Sequence, residues 1–162
     1  MAIELSVNGQ KVSVTAAPDT PLLDVLRNHL GLKATRYGCG LEQCGTCMVL
    51  VDGAPAYACS REVGAVAGRS VTTLEGMGTP EALHPLQQAF LDEQAGQCGF
   101  CLSGILVSAK ALLDSNPAPT RAEIIAAMDR HLCRCGAHPR IIRAIEKAAA
   151  TLRAHGQTGA RA

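Results

Sequence analysis

The 162-residue chain predicts an α+β protein: an N-terminal β-grasp domain followed by an all-α four-helix domain. Three observations predict it. The first third alternates apolar and polar residues with period two around a single helical stripe, as strands beside one helix do. The second half repeats apolar residues at helical spacing. Between them, Glu75-Gly76-Met77-Gly78-Thr79-Pro80 is a run of chain breakers. The expected division is residues 1–75, a linker 76–83, a helical domain 84–156, and a small polar tail 157–162 without regular structure.

Each element has a local reason. Ile3, Leu5 and Val7 alternate with polar residues, and Asn8-Gly9 is a two-residue hairpin signal into a second strand, Lys11 to Thr15. Asp19 or Thr20 caps a helix whose first turn takes Pro21. Leu22, Leu23, Val25, Leu26 and Leu30 form its apolar stripe, and Gly31 ends it. Met48-Val49-Leu50-Val51 reads as a buried strand turned by Asp52-Gly53, and Ser70 to Leu74 as a last strand. Helices are expected from His84 to Gln94, from Phe100 to Leu113, from the capping box Thr120-x-x-Glu123 to Leu132, and from Pro139 to Ala154.

Composition removes several function classes. The net charge is +1 and aromatics are 2%, so neither a basic surface nor a base-stacking platform points to nucleic acid. The N-terminus lacks the charged and apolar regions of a secretion signal. No apolar run approaches the ~18 residues a membrane span needs, so no direct membrane insertion is expected. A cytoplasmic location follows as the default, with export alongside a signal-bearing partner left open. Residues from Thr120 onward carry +5 and the remainder −4, which suits solvated helix faces or a partner surface.

Eight cysteines in such a chain carry the chemistry. They form two quartets, Cys39-x4-Cys44-x2-Cys47-x11-Cys59 and Cys98-x2-Cys101-x31-Cys133-x-Cys135. Four soft thiolates complete a [2Fe-2S] cluster, and the x4, x2 spacing is that of plant-type ferredoxins, though Cys59 comes early for a free photosynthetic one. Gly38, Gly40 and Gly45 flank these ligands and let backbone N–H groups approach sulfur. Taken alone, the second quartet suits tetrahedral zinc as well as iron–sulfur. Its pairs fall near helix starts, whose partial positive charge favours an anionic cluster.

Gly38-Cys39-Gly40-Leu41-Glu42-Gln43-Cys44-Gly45-Thr46-Cys47, Gln97-Cys98-Gly99-Phe100-Cys101 and Leu132-Cys133-Arg134-Cys135-Gly136, in this order, resemble the iron–sulfur subunits of the molybdenum hydroxylases, the xanthine dehydrogenase/aldehyde oxidase family. The resemblance runs from Ile3 to about Ala150. It implies two [2Fe-2S] clusters, the second beside a molybdopterin cofactor held by a large partner subunit. Gln97 and Cys135 match positions that touch the pterin. The implied function is electron transfer from molybdenum to FAD or haem, in an FAD-binding subunit or a cytochrome. The loop resembles the nicotinate and isoquinoline dehydrogenase subgroup, which implies an N-heteroaromatic substrate, or else an aldehyde. Glu42 and Thr46 stand where many members have Gly and Ala.

The rival readings are an independent two-cluster carrier or redox sensor, and a zinc-stapled adaptor. No Ser-His-Asp set, phosphate loop or dinucleotide fingerprint offers substrate chemistry, so no catalytic residue is expected in this chain. His29, His84, His131, His138 and His155 read as surface or capping residues, Phe100 as core, and Tyr37 as packing over the first cysteine loop. Arg134 would neutralise cluster charge or pair with a partner carboxylate.

Overall fold

The computed structural model describes residues 2–154 and Gly156; Met1, His155 and the expected tail 157–162 lie outside the described residues. Strands β1 (Ala2–Val7) and β2 (Gln10–Thr15) form an antiparallel hairpin. Its turn has φ +51 at Asn8 and +79 at Gly9, the double positive φ that matches the twist of two-residue hairpins. Asp52 (φ +49) and Gly53 (φ +80) repeat this turn between β3 (Met48–Val51) and β4 (Ala54–Tyr57). With β5 (Ser70–Thr72), which runs parallel to β1, they make one mixed sheet of order β2-β1-β5-β3-β4.

The stripe Leu22–Leu30 begins as helix α1 (Leu22–Asp24) and continues as a π-helical turn, Val25–His29. Leu22, Leu23, Val25 and Leu26 are buried against the sheet with Ile3, Leu5, Val49, Val51 and Val71. Four helices follow: α2 (Pro85–Asp92), α3 (Leu102–Ser115), α4 (Arg121–Met128) and α5 (His138–Ala154). The fold is thus the expected α+β arrangement, sheet first and helices after.

Strand β3 joins the two halves. All four of its residues are buried. Val49 and Val51 point into the sheet–helix core, while Met48 and Leu50 pack with α3 and the helical core. A strand buried on both faces needs an unbroken apolar run, which is what Met48-Val49-Leu50-Val51 supplies. Helix α3 is the central helix, buried from Ser103 through Lys110. Lys110, 8% exposed, keeps its charge satisfied by Asp114 at 2.6 Å.

Several boundaries differ from expectation, each for a local reason. The last strand ends at Thr72 rather than Leu74, because Thr73 N–H donates to the Asn8 side chain at 2.8 Å and the chain turns into a 3-10 segment, Leu74–Gly76. Helix α3 starts at Leu102, after the cysteine turn. Helix α4 stops at Met128, four residues short of Leu132, because Leu132 N–H donates instead to the Cys44 carbonyl at 3.1 Å. Strand β4 has no alternating pattern and contains Pro55, tolerable because β4 is the sheet edge. Within the expected linker, Thr79 and Ala82 exchange backbone hydrogen bonds of 3.2 and 3.1 Å in a tight turn.

Helix α2 is capped by His84, whose Nδ1 accepts the Leu86 N–H at 3.1 Å while Gln87 returns a bond to the His84 N–H. Burial, helped by the Lys110 charge, lowers the His84 pKa below its ordinary 6.5. The neutral ring therefore stabilises the fold fully above pH 6.5, and this contribution is lost as pH falls through the lowered value. Acidification from pH 7 to pH 5 is expected to lower the protection factor of the Leu86 amide, its exchange corrected for the intrinsic pH dependence, in the wild type. His84→Asn, whose carboxamide accepts at any pH, is expected to remove most of that change.

Candidate metal centres

The first quartet is built on the loop entering β3. Cys39 Sγ accepts the N–H groups of Leu41 and Gln43, each at 3.3 Å, and Cys44 Sγ accepts the Cys39 N–H at 3.4 Å. This wrapping needs Gly40 at φ +69, since a Cβ there would meet the Tyr37 hydroxyl at 2.3 Å. Tyr37 thus packs over the loop as expected. Cys47 closes the loop at the start of β3, and Cys59 comes back to it just after β4. The thiols meet in pairs, Cys39 with Cys44 and Cys47 with Cys59.

The second quartet sits between helix ends. Cys98 and Cys101 lie in the turn before α3, with Cys101 at its N-cap. Cys133 and Cys135 lie in the loop between α4 and α5. They too meet in pairs, Cys98 with Cys135 and Cys101 with Cys133. Gln97, exposed, donates its side-chain amide to the Cys135 carbonyl at 3.3 Å. The two residues that the resemblance linked to one ligand are therefore neighbours.

The donor set fits iron–sulfur clusters. All eight cysteines are free thiols. Among the described residues, no three His, Cys, Asp or Glu side chains converge as a single ion requires. Facing pairs of thiols suit a two-metal centre with two thiolates on each metal. Burial pushes Cys47 and Cys101 up to about 12, and their neighbours Cys59 and Cys133 add to it. As thiolates they need positive charge close by, which ferric iron provides. Burial also acts on Cys39, but the N–H groups of Leu41 and Gln43 outweigh it and bring Cys39 down to about 7. At Cys133 burial is likewise outweighed, by the Ala137 N–H and other donors, and the pKa is lowered. Such N–H···S contacts hold negative charge on sulfur.

The two sites are in direct contact. One cavity of about 510 Å³ is lined by Cys39 and Cys44 of the first quartet and by Cys98, Cys101 and Cys133 of the second. Hydrogen bonds knit the loops around it. Leu132 N–H reaches the Cys44 carbonyl at 3.1 Å, Thr46 Oγ1 donates to the Phe100 carbonyl at 3.0 Å, and Ser103 Oγ donates to the Thr46 carbonyl at 3.3 Å. Arg36 donates to the Gly99 carbonyl at 2.7 Å and stacks on the Phe100 ring, 5.3 Å from its centre.

Arg36, Ser103, Gly104 and Leu132 were missed as site residues in the sequence. The one available signal was Ser103-Gly104, two small residues in an otherwise bulky apolar helix. Phe100 is 49% exposed under Arg36 and so is not core. Of the histidines, His29 is exposed and His84 caps α2, as expected. His138 Nε2 donates to the His131 carbonyl at 2.8 Å. His131 is neither surface nor cap: it is buried, with its ring against Gly45 of the first cysteine loop. Glu42 is exposed, and its carboxylate accepts from Ser60 Oγ. Arg134 is exposed at the rim of the shared cavity.

Known proteins resemble the chain in both sequence and fold. Residues 5–69 match the 2Fe-2S iron-sulfur cluster binding domain family, and residues 73–146 match the [2Fe-2S] binding domain family. The chain is 53% identical over 151 residues to a nicotinate dehydrogenase subunit of Pseudomonas putida, covering 93% of this chain and 96% of that one. It is 50% identical over 148 residues to the alpha subunit of isoquinoline 1-oxidoreductase from Brevundimonas diminuta, covering 91% and 97%. The crystal structure of quinoline 2-oxidoreductase from Pseudomonas putida superposes with a TM-score of 0.91 at 39% identity, covering 96% of this chain and 97% of the matched chain.

The contact between the sites is testable at Gly104. A Cβ there would sit 1.9 Å from the Gly45 carbonyl oxygen. Gly104→Ala gains up to ~1 kcal/mol of helix propensity, yet overpacking of this kind costs ~1–3 kcal/mol. A net loss of stability in denaturant unfolding is expected, together with loosened contact between the loops.

Proposed function

This chain belongs to the [2Fe-2S] iron–sulfur subunits of the molybdenum hydroxylase family, and from that premise we propose how its residues serve electron transfer. When bound, two [2Fe-2S] clusters supply one-electron carriage from the molybdenum centre of a large partner subunit towards FAD or a cytochrome. Cys39, Cys44, Cys47 and Cys59 would hold one cluster; Cys98, Cys101, Cys133 and Cys135 would hold the other. The observation that carries this reading is the single cavity shared by both quartets, with the Leu132–Cys44 hydrogen bond across it.

The chain's own contribution is placement. The Leu41 and Gln43 N–H groups stabilise charge on Cys39, and the close contact of the loop with α3 keeps the quartets adjacent. Gln97, whose side-chain amide bonds to the Cys135 carbonyl, would contact the molybdopterin cofactor of the large subunit. In such a complex the β-grasp domain, 1–75, would lie towards the acceptor and the helical domain, 84–156, towards the molybdenum centre. The names of the relatives support an N-heteroaromatic substrate, with an aldehyde as the alternative. No helix among the described residues is long and apolar enough to cross a membrane, and eight free thiols suit a cytoplasmic complex.

The complex, purified without oxygen, is expected to hold about four irons per copy of this chain. Cys44→Ser and Cys101→Ser are each expected to remove one of two paramagnetic signals and leave the other. Survival of both signals in either variant would overturn the ligand assignment. Gln97→Ala is expected to keep full iron while slowing substrate-driven reduction by roughly tenfold, the effect of one hydrogen bond lost at a contact that matters for transfer. An unchanged rate removes Gln97 from that contact.

A further inference from the structure

His131 is 2% exposed, two residues before Cys133, with its ring against Gly45 of the first cysteine loop. Its backbone is held on both sides: the N–H donates to the Met128 carbonyl at 2.9 Å, and its carbonyl accepts from His138 Nε2 at 2.8 Å. The next residue, Leu132, donates to the Cys44 carbonyl at 3.1 Å, and the one after that is Cys133. The His131 ring faces the first loop so closely that a Cβ on Gly45 would lie 2.3 Å from its Nδ1. Gly45, at φ +73, is the only residue type that admits the ring there without strain.

Among the described residues, only Ser108 Oγ and His131 Nδ1 are buried side-chain polar atoms without a hydrogen-bond partner. An unsatisfied buried polar atom destabilises a fold, and an apolar side chain of similar size avoids that cost. Packing alone therefore favours leucine at this position. A neutral imidazole can present either a donor or an acceptor at Nδ1.

We propose that His131 is a positioning residue whose Nδ1 is held for the main chain of Gly45, tying the first cysteine loop to the segment that leads into Cys133. Beside the Leu132–Cys44 bond it keeps a polar atom available to the first loop across the same gap, and so sets the coupling between the two centres. This rests on the quartets holding redox centres, as proposed above.

The test uses the intact complex with His131→Leu and His131→Asn. Leucine keeps the bulk and removes the polar atom; asparagine keeps a polar atom near the Nδ1 position. His131→Leu is expected to retain full iron and an unchanged or raised unfolding midpoint. Its magnetic splitting between the reduced centres should narrow, and transfer between them should slow by about tenfold, as slight misplacement does. His131→Asn is expected to restore both. Stability and coupling then move in opposite directions, which a merely structural residue does not produce. Wild-type splitting and rate in His131→Leu would overturn the proposal, as would a loss of coupling seen only together with a loss of iron. A wild-type complex lacking iron would instead overturn the underlying reading of the quartets.

Discussion

The close approach of two backbones, at Gly45 and Gly104, is the constraint on which the rest depends. A Cβ on Gly104 would stand 1.9 Å from the Gly45 carbonyl oxygen, so the first cysteine loop lies directly on the first turn of α3. That turn begins at Cys101. Pressing the loop onto it brings Cys44 and Cys101 to the walls of one cavity. Strand β3 runs out of the same loop and carries the contact onward, with Met48 and Leu50 in one core and Val49 and Val51 in the other. The two halves are therefore locked through a shared strand rather than hung on a linker. For a chain that hands on electrons, fixed separation is the property that matters.

Electrostatics then shapes each site from within. Four thiolates close together repel, and burial adds to the cost of ionising them, as Cys47 and Cys101 show by rising to about 12. Two local devices oppose this. Backbone N–H groups are turned onto sulfur, at Cys39 by a loop that needs positive φ at Gly40 and Glu42. The remaining demand for positive charge is left to the metal, so cluster binding and ordering of the loops are coupled.

Much of this was legible in the sequence because its cause is local. Asn8-Gly9 and Asp52-Gly53 are read as turns since only certain residues accept positive φ in succession. The Thr120–Glu123 capping box is a contact within one turn of chain. The first quartet's spacing is legible because it follows from wrapping a short loop around a small object, whereas the second, with 31 residues between its pairs, left zinc open when taken alone. Other features were not legible, because their causes lie far away in sequence. Helix α4 stops at Met128 since Leu132 is taken by Cys44, 88 residues earlier. Phe100 leaves the core because Arg36 offers it a cation to stack against, and His131 is buried because Gly45 makes room for its ring.

From the sequence alone came the α+β class, the eight cysteines and their division into two fours. Each of these rests on residue type, period or short spacing, which the chain carries before it folds. Tertiary structure alone decided which thiols face one another, that both quartets open on one cavity, and which backbone atoms bridge it. Those outcomes depend on atoms brought within bonding distance from opposite ends of the chain, and no local pattern encodes such a meeting.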